Sequence, residues 1–346
     1  MLALVSVALL AAANASGTLV VLNKAEATAS LIDLATGKVV KTLPTGQGPH
    51  EAAVSPDGRL ALAANYGTRE EPGSTLTVID VAGAAVAKTI SLGEYRRPHG
   101  VLWLDGSRAA VTCEGSQALV VVDVANGVVE AAVVTGQNVS HMVAVTPDGA
   151  RAFVANIGSG SATAIDLRGP KLLGQIATGK GAEGIDVTPD GREAWVTNRE
   201  ADSVSVIDTK TLAVVATLQS KAFPIRVKIT PDGKLALVSN ARSGDVAVFD
   251  VASRRELRRV PMKRGSLETA AARGPEQRLQ VVPGAAATDP VPIGIVISPD
   301  GRTAWVANTS TDTVSVIDVA AGAVTGTLRA GKEPDGMAYS PVVVVR

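Results

Sequence analysis

Short runs of small and β-branched apolar residues, separated by turn-forming residues, fill the sequence from about Thr18 onwards. The stretch from Val187 to Leu218, VTPDGREAWVTNREADSVSVIDTKTLAVVATL, contains four such runs. One precedes Pro-Asp-Gly, one follows it, one ends in Asp, and one is rich in Val and Thr. Runs of this kind, bounded by Gly, Pro and Asp, are typical of strands, and Pro-Asp-Gly is a turn sequence. The pattern therefore predicts a unit of four antiparallel strands.

This unit recurs along the chain with a period of roughly 42 residues. Its third strand ends each time in an aspartate: Asp33, Asp80, Asp123, Asp166, Asp208, Asp250 and Asp318. Four antiparallel strands repeated radially are the pattern of a β-propeller, so we predict an all-β, seven-bladed fold. The chain starts with the equivalent of a second strand, TLVVLNK, and ends with that of a first, EPDGMAYSP. Pairing of the two terminal strands would close the ring and remove exposed sheet edges.

The first segment differs from the repeats. Residues 1–15, MLALVSVALLAAANA, are uncharged and apolar and end in Ala13-Asn14-Ala15. The run is too short to span a bilayer comfortably, and we interpret it as a secretory signal cleaved before Ser16. A buried first strand is the alternative. We therefore expect a periplasmic or extracellular protein without membrane insertion, in which residues 16–346 form a single propeller domain.

Composition excludes several classes of function. The 33 basic and 33 acidic residues balance, and aromatic residues make up 3% of the chain. Nucleic-acid binding needs clustered positive charge or stacking platforms, so we expect no nucleic-acid partner. The single cysteine, Cys113, excludes an internal disulfide and a multi-cysteine metal cluster. We expect a monomer.

The repeat itself resembles a known family. A Pro-Asp-Gly turn, a strand ending in Val-Thr-Asn or Val-Ala-Asn, and then Val-Ser-Val-Ile-Asp are similar to the YVTN-repeat β-propellers. The resemblance covers the chain from about Thr18 to Pro341. It implies a seven-bladed, exported protein, since members are mostly exported binding or surface-layer proteins. Related propellers include subunits of amine dehydrogenases.

Length variation is concentrated on the face from which the first strand of each blade enters the central channel, here called the top face. Extra residues occur at 67–72 and 94–97, and the largest insertion covers about 263–289. Loops that grow on one face of a rigid scaffold usually belong to the binding face, although neutral drift is the alternative. We expect a small ligand or a protein partner there. Three arginines are predicted to flank the channel mouth and to hold an anionic ligand: Arg96, Arg97 and Arg226.

One column of the aligned repeats carries the most specific signal. At the start of each first strand it contains His50, His99, His141, Glu183, Ile225, Ile293 and Asp335, and these three histidines are the only ones in the protein. Three imidazoles from neighbouring blades can bind copper, zinc or iron, and we predict such a site at His50, His99 and His141. Glu183 is a fourth ligand or an orienting residue. The alternative is that histidine after Gly-Pro bonds to the backbone.

A second anomaly lies in the third blade. The other second strands end in Asn, whereas Val111-Thr112-Cys113-Glu114 is predicted to put Glu114 at the Asn position. Glu114 is then a candidate metal ligand or general base, with a solvated loop acid as the alternative. Cys113 is interpreted as a small buried apolar residue.

Three functions follow from these features. The first is an exported propeller that binds a transition metal and serves in ligand binding, metal handling or support of a redox partner. The second is a metal-assisted lyase or hydrolase, streptogramin-lyase-like or lactonase-like, because Pro98-His99-Gly100 and Glu114 are similar to the pattern of streptogramin lyase-type propellers. That resemblance makes His99 and Glu114 the catalytic candidates. The third is a protein-interaction scaffold without metal.

Overall fold

A computed structural model describes residues 16–262 and 289–345 of the chain. The predicted signal segment and, except for Asp289, the predicted insertion lie outside these residues. In the described part, seven sheets of four antiparallel strands form the ring. The predicted all-β, seven-bladed propeller is confirmed.

The first four blades are as follows. Blade 1 contains β1 (Thr18–Asn23), β2 (Thr28–Asp33), β3 (Lys38–Pro44) and β28 (Pro334–Ser340). Blade 2 contains β4 (Pro49–Val54), β5 (Leu60–Gly67), β6 (Pro72–Asp80) and β7 (Ala85–Ser91). Blade 3 contains β8 (Pro98–Trp103), β9 (Arg108–Cys113), β10 (Ala118–Asp123) and β11 (Val128–Val134). Blade 4 contains β12 (Ser140–Val145), β13 (Arg151–Asn156), β14 (Ser161–Asp166) and β15 (Lys171–Ala177).

The remaining three blades repeat the same order. Blade 5 contains β16 (Ala182–Val187), β17 (Glu193–Asn198), β18 (Ser203–Asp208) and β19 (Ala213–Gln219). Blade 6 contains β20 (Pro224–Ile229), β21 (Leu235–Asn240), β22 (Asp245–Asp250) and β23 (Arg255–Pro261). Blade 7 contains β24 (Pro292–Ile297), β25 (Thr303–Asn308), β26 (Thr313–Asp318) and β27 (Ala323–Arg329). Short 3₁₀ turns at Lys24–Glu26 and Glu114–Ser116 follow β1 and β9.

The ring closes in blade 1, where strands from the two ends of the chain pair. β28 lies antiparallel to β1, with Leu19 opposite Tyr339. Beyond β28, the Thr18 hydroxyl donates to the Val342 carbonyl at 2.8 Å and accepts the Val344 amide at 2.9 Å. The predicted closure is confirmed, and these two bonds fasten the residues that follow β28.

Large apolar side chains fill the spaces between blades. Trp195 of blade 5 meets Phe249 of blade 6 edge-on, with ring centroids 6.3 Å apart. Trp305 of blade 7 stacks on Tyr339 of blade 1 at 5.7 Å. Each blade therefore buries its faces against its neighbours, which holds the first strands in fixed positions around the channel. Among the described residues, no helix is long and apolar enough to cross a membrane.

The first strands approach each other closely at the channel. A side chain at Gly336, for example, would put its Cβ 2.2 Å from the carbonyl oxygen of His50 in the next blade. Glycine at this position lets the two backbones come together, because any Cβ would collide with backbone. The residue before this glycine, Asp335, and its counterparts in the other blades consequently lie near the channel axis.

Candidate metal centre

A cavity of about 290 Å³ lies in the upper part of the channel and is here called the upper cavity. All seven residues at the second position of the first strands line it: His50, His99, His141, Glu183, Ile225, Ile293 and Asp335. Polar and titratable side chains thus come from five consecutive blades, 1 to 5, and the two isoleucines come from blades 6 and 7. The upper cavity therefore has a polar arc and an apolar wall.

A second column, from the residue that follows the asparagine position of each second strand, completes the rim. It contributes Lys24, Tyr66, Glu114, Ile157 and Arg199 to the upper cavity. The sequence analysis selected only Glu114 from this column. The sequence did not reveal Lys24, Tyr66 and Arg199, because this column does not repeat one residue type. The signal that could have identified them is their position directly after the repeated asparagine.

The strand register corrects the predicted alignment of Glu114. Pro49 pairs with Asn65 in blade 2, and the equivalent Pro98 pairs with Cys113 in blade 3. Cys113 therefore occupies the asparagine position, and Glu114 is the residue after it. As predicted, Cys113 is fully buried, and burial raises the pKa of its thiol to about 12. The thiol is packed in the core between blades 2 and 3.

The three histidines converge, as the column predicts. The ring centroids of His50 and His99 are 4.8 Å apart, and those of His99 and His141 are 3.6 Å apart. His50 Nδ1 lies 2.7 Å from the Gly48 carbonyl oxygen, so this nitrogen carries the proton that it donates. The backbone bond proposed as an alternative thus exists for His50, and it leaves Nε2 of the same ring with its lone pair.

Glu114 connects two elements of this cluster. Its Oε1 accepts a hydrogen bond from His141 Nδ1, and its Oε2 accepts one from the Tyr66 hydroxyl at 2.6 Å. His99 Nδ1 and His141 Nε2 are buried, and neither has a hydrogen-bond partner within residues 16–262 and 289–345. Buried polar atoms are rarely left unpaired, so these two nitrogens are candidate donor atoms for a metal ion or a small ligand.

The protonation states of the three rings differ. Burial is the main cause that lowers the pKa of His50 to about 4 and that of His99 well below its usual value. Burial alone would also lower the pKa of His141, but Glu114 and Glu183 raise it above the usual value. His50 and His99 are therefore neutral imidazoles near neutral pH, whereas the pKa of His141 is shifted in the opposite direction.

Glu183 is held by two arginines. Its Oε2 accepts Arg199 Nη1 at 2.8 Å, and its Oε1 accepts Arg226 Nη1 at 3.2 Å. Burial would raise the pKa of Glu183, but the neighbouring His141 ring, whose Nε2 lies 3.4 Å from Glu183 Oε1, and the positive charge of Arg199 lower it to about 2. Arg226 also donates to Glu51 Oε1, through Nη2 at 2.6 Å and Nε at 3.1 Å. The carboxylate of Glu183 is therefore ionised and fixed beside the histidines.

The three arginines predicted as an anion site are not brought together. Arg226 is buried inside the channel and is bonded to carboxylates. Arg97 donates to the carbonyl oxygens of Thr68 and Arg69 at 3.0 Å each, and its guanidinium lies 5.0 Å from the centre of the Tyr66 ring. Arg96 is on the outside of the same loop, where it bonds to Gly93. Arg97 thus stabilises the hairpin that carries Tyr66.

These contacts define a group with metal-binding chemistry. The donor atoms of His99, Glu114 and His141 all lie within 4.8 Å of one another. Two imidazole nitrogens and a carboxylate oxygen are a ligand set that zinc, copper and ferrous iron accept. The group could therefore hold a metal ion at the mouth of the channel.

The repeat and the strand arrangement are those of one family. The sequence-family model described as YNCE-like beta-propeller matches residues 3–110 and 99–269 of the chain. The chain belongs to the YNCE-like β-propeller family. This confirms the predicted YVTN-type seven-bladed propeller. A search of curated protein sequences gives no significant match.

Solved structures with the same fold are distant in sequence. Hydrazine synthase from Kuenenia stuttgartiensis is 19% identical, with a TM-score of 0.69, over 85% of this chain and 90% of that one. A functionally unknown protein from Desulfotomaculum acetoxidans is 13% identical, with a TM-score of 0.74, over 94% and 99%. Dihydro-heme d1 dehydrogenase NirN in complex with DHE is 17% identical, with a TM-score of 0.62, over 90% and 63%. At these identities the likeness concerns the fold of the YNCE-like chain alone.

Proposed function

We propose that this protein is an exported propeller that binds one transition-metal ion at the channel mouth through His99, His141 and Glu114. The bound ion would serve metal handling, ligand binding or the support of a redox partner. The observation that carries the proposal is the pair of buried ring nitrogens, His99 Nδ1 and His141 Nε2, which make no hydrogen bond within the described chain and lie beside the carboxyl group of Glu114.

Two neighbours are placed to complete the coordination. Glu183 Oε1 lies 3.4 Å from His141 Nε2. Two ligand atoms that each bind one tetrahedral ion at about 2.1 Å lie about 3.4 Å from each other. His50 keeps Nε2 available because its Nδ1 proton is held by a backbone carbonyl, the arrangement usual for metal-binding histidines. His50 and Glu183 therefore stay in the proposed ligand set.

The donor types favour zinc, copper or iron over magnesium and calcium, which prefer oxygen ligands. Cys113 is not part of the site, because its thiol lies in the core and remains protonated. The upper cavity of about 290 Å³ is at the lower limit of ligand pockets and suits an ion with a small ligand. The DHE bound by NirN therefore gives no guide to the ligand here.

Calorimetric titration with zinc and with copper(II) tests the proposal. The wild type should bind one ion per chain, and His99→Ala and His141→Ala should each weaken binding at least about 100-fold, since each removes a direct ligand. His50→Ala should cost less. Glu70→Ala, which removes an exposed carboxylate from the top face, is the matched control and should bind as the wild type does.

Circular dichroism must show that the variants keep the β-sheet spectrum, because the ring closes through strand pairing and does not need the ion. Stoichiometric metal in a folded His99→Ala/His141→Ala double variant would contradict the proposal. A loss of metal affinity in the Glu70→Ala control equal to that in the histidine variants would also contradict it.

Metal affinity should also depend on pH with a defined sign. The raised pKa of His141 means that a proton competes with the ion. Affinity should therefore rise with pH until His141 is deprotonated, and titrations in buffers of different ionisation enthalpy should show a proton released on binding. An affinity that is constant through the histidine range would argue against His141 as a ligand.

A second function, a metal-assisted lyase or hydrolase at the same site, is favoured by the chain of hydrogen bonds from Tyr66 through Glu114 to His141. Such a chain can hold and move a proton, and the low pKa of His99 suits a neutral base. Turnover of an ester or lactone that is lost in Glu114→Gln would support this function. Metal binding without any turnover supports the binding role.

A further inference from the structure

We propose that Lys24 and Asp335, at the blade 1 side of the upper cavity, form a recognition site for a small hydroxycarboxylate. The ligand's hydroxyl group would donate to Asp335 Oδ1, and its carboxylate would accept from Lys24 Nζ. This inference goes beyond the proposed function, because it concerns an organic anion and does not require the metal ion.

Asp335 provides the first observation. Its side chain lines the upper cavity and is only 3% exposed as a residue. Oδ2 accepts Lys24 Nζ at 3.2 Å, whereas Oδ1 finds no donor in the described part of the chain. A buried acceptor without a donor is costly, so a donor from outside the chain is expected there.

The charge state of Asp335 restricts the kind of donor. Burial would raise the pKa of this carboxyl, but the positive charge of Lys24, whose Nζ lies 3.2 Å from Oδ2, lowers it below its usual value. The group is therefore an ionised carboxylate that accepts hydrogen bonds and donates none. The partner of Oδ1 must carry an N–H or O–H group.

Lys24 provides the second observation. An ammonium group has three N–H donors, and the Asp335 bond uses one of them. The residue is held in place because its backbone amide donates to the Glu333 carbonyl at 3.1 Å. Its remaining donors can bind a carboxylate, while its charge repels a ligand ammonium group next to Asp335. The donor to Oδ1 is therefore a hydroxyl group rather than an amine.

The rest of the upper cavity limits the size and shape of the ligand. Its volume of about 290 Å³ accommodates a four-carbon acid. Ile225 and Ile293 provide an apolar wall for the carbon chain. On the polar arc, Arg199 provides positive charge for a second carboxylate. Malate fits this description, and succinate and aspartate differ from it at one group each.

Calorimetry on chelator-treated protein with these three acids tests the inference. Malate should bind at least about tenfold more tightly than succinate, which lacks the hydroxyl group, and than aspartate, which carries an ammonium group there. In Asp335→Ala, malate and succinate should bind equally, and succinate should bind no more weakly than to the wild type, because Lys24 loses its competing partner. Glu70→Ala should keep the wild-type preference.

Lys24→Met is a second variant, in case Asp335→Ala does not fold. It should weaken both malate and succinate at least about tenfold while leaving the preference for malate. Equal binding of malate and succinate to the wild type, or no binding of either, would overturn the inference, and so would tighter binding of aspartate or a malate preference that survives Asp335→Ala. If metal titrations fail and the malate preference holds, only the proposed metal site is lost.

Discussion

The asparagine that ends the second strand is fixed by hydroxyl groups of the third strand in five of the blades. In blade 2, for example, the Asn65 amide donates to Thr75 at 2.9 Å and to Thr77 at 3.0 Å, and its oxygen accepts the Gly46 amide at 3.0 Å. Blade 3 has Cys113, Ala118 and Val120 at the three corresponding positions. An entire polar network has been replaced by apolar contacts.

This replacement leads to a prediction at residue scale. Cys113→Asn should lower the free energy of unfolding by about 1–3 kcal/mol, because the buried amide would find no hydroxyl partners. Combined with Ala118→Thr and Val120→Thr, the same substitution should lower the free energy of unfolding less. The new hydroxyl groups would then bond the amide as Thr75 and Thr77 do in blade 2. Urea unfolding measures both. A single variant as stable as the wild type would show that the site needs no such partners.

The residues of the site were predictable to different degrees. The histidines were found because they share one column and have no other occurrence in the chain. Glu114 was selected but aligned one position too early, since blade 3 lacks the asparagine that marks the register. Tyr66 and Lys24 were missed because their role depends on the partners that they meet in space, Glu114 and Asp335.

At the scale of elements, the side chain of Thr18 reinforces the joint between the two ends of the chain. Thr18→Val keeps the size of the side chain but removes its bonds to Val342 and Val344. The free energy of unfolding should fall by about 1–3 kcal/mol, because buried backbone groups lose their partner. Thr42→Val, at an exposed position of β3, is the control and should change stability little. Equal effects of the two substitutions would contradict the assigned role of Thr18.

The strands themselves were predictable because each is bounded by the same turn chemistry. In the turn after β4, Asp57 Oδ1 accepts the Arg59 amide at 3.1 Å and the Ser55 hydroxyl at 2.6 Å, and Gly58 has φ of 77°. These hydrogen bonds join residues two positions apart, so a short stretch of sequence is enough to predict the turn. The contact of Arg97 with the carbonyls of Thr68 and Arg69 joins loops of two blades, and no local pattern reveals it.

At the scale of the whole molecule, Arg226 lies between two cavities of the channel. Above it is the upper cavity, and below it is a cavity of about 500 Å³ with a mainly apolar lining. Arg226 bonds to Glu51 across the ring and to Glu183 in the adjacent blade. The pairing with Glu51 spans 175 positions of sequence, which explains why sequence reasoning put Arg226 at the mouth. The buried ion cluster separates the candidate metal centre from the lower cavity.

An anomalous-difference map from crystals soaked in zinc, recorded at the zinc absorption edge, tests the central claim most directly. We expect one strong peak per chain in the upper cavity, bounded by His99 Nδ1, His141 and a carboxylate oxygen of Glu114. The peak should be lost in crystals of His141→Ala. A map without a peak at these side chains, or with a peak only at surface carboxylates, would contradict the account.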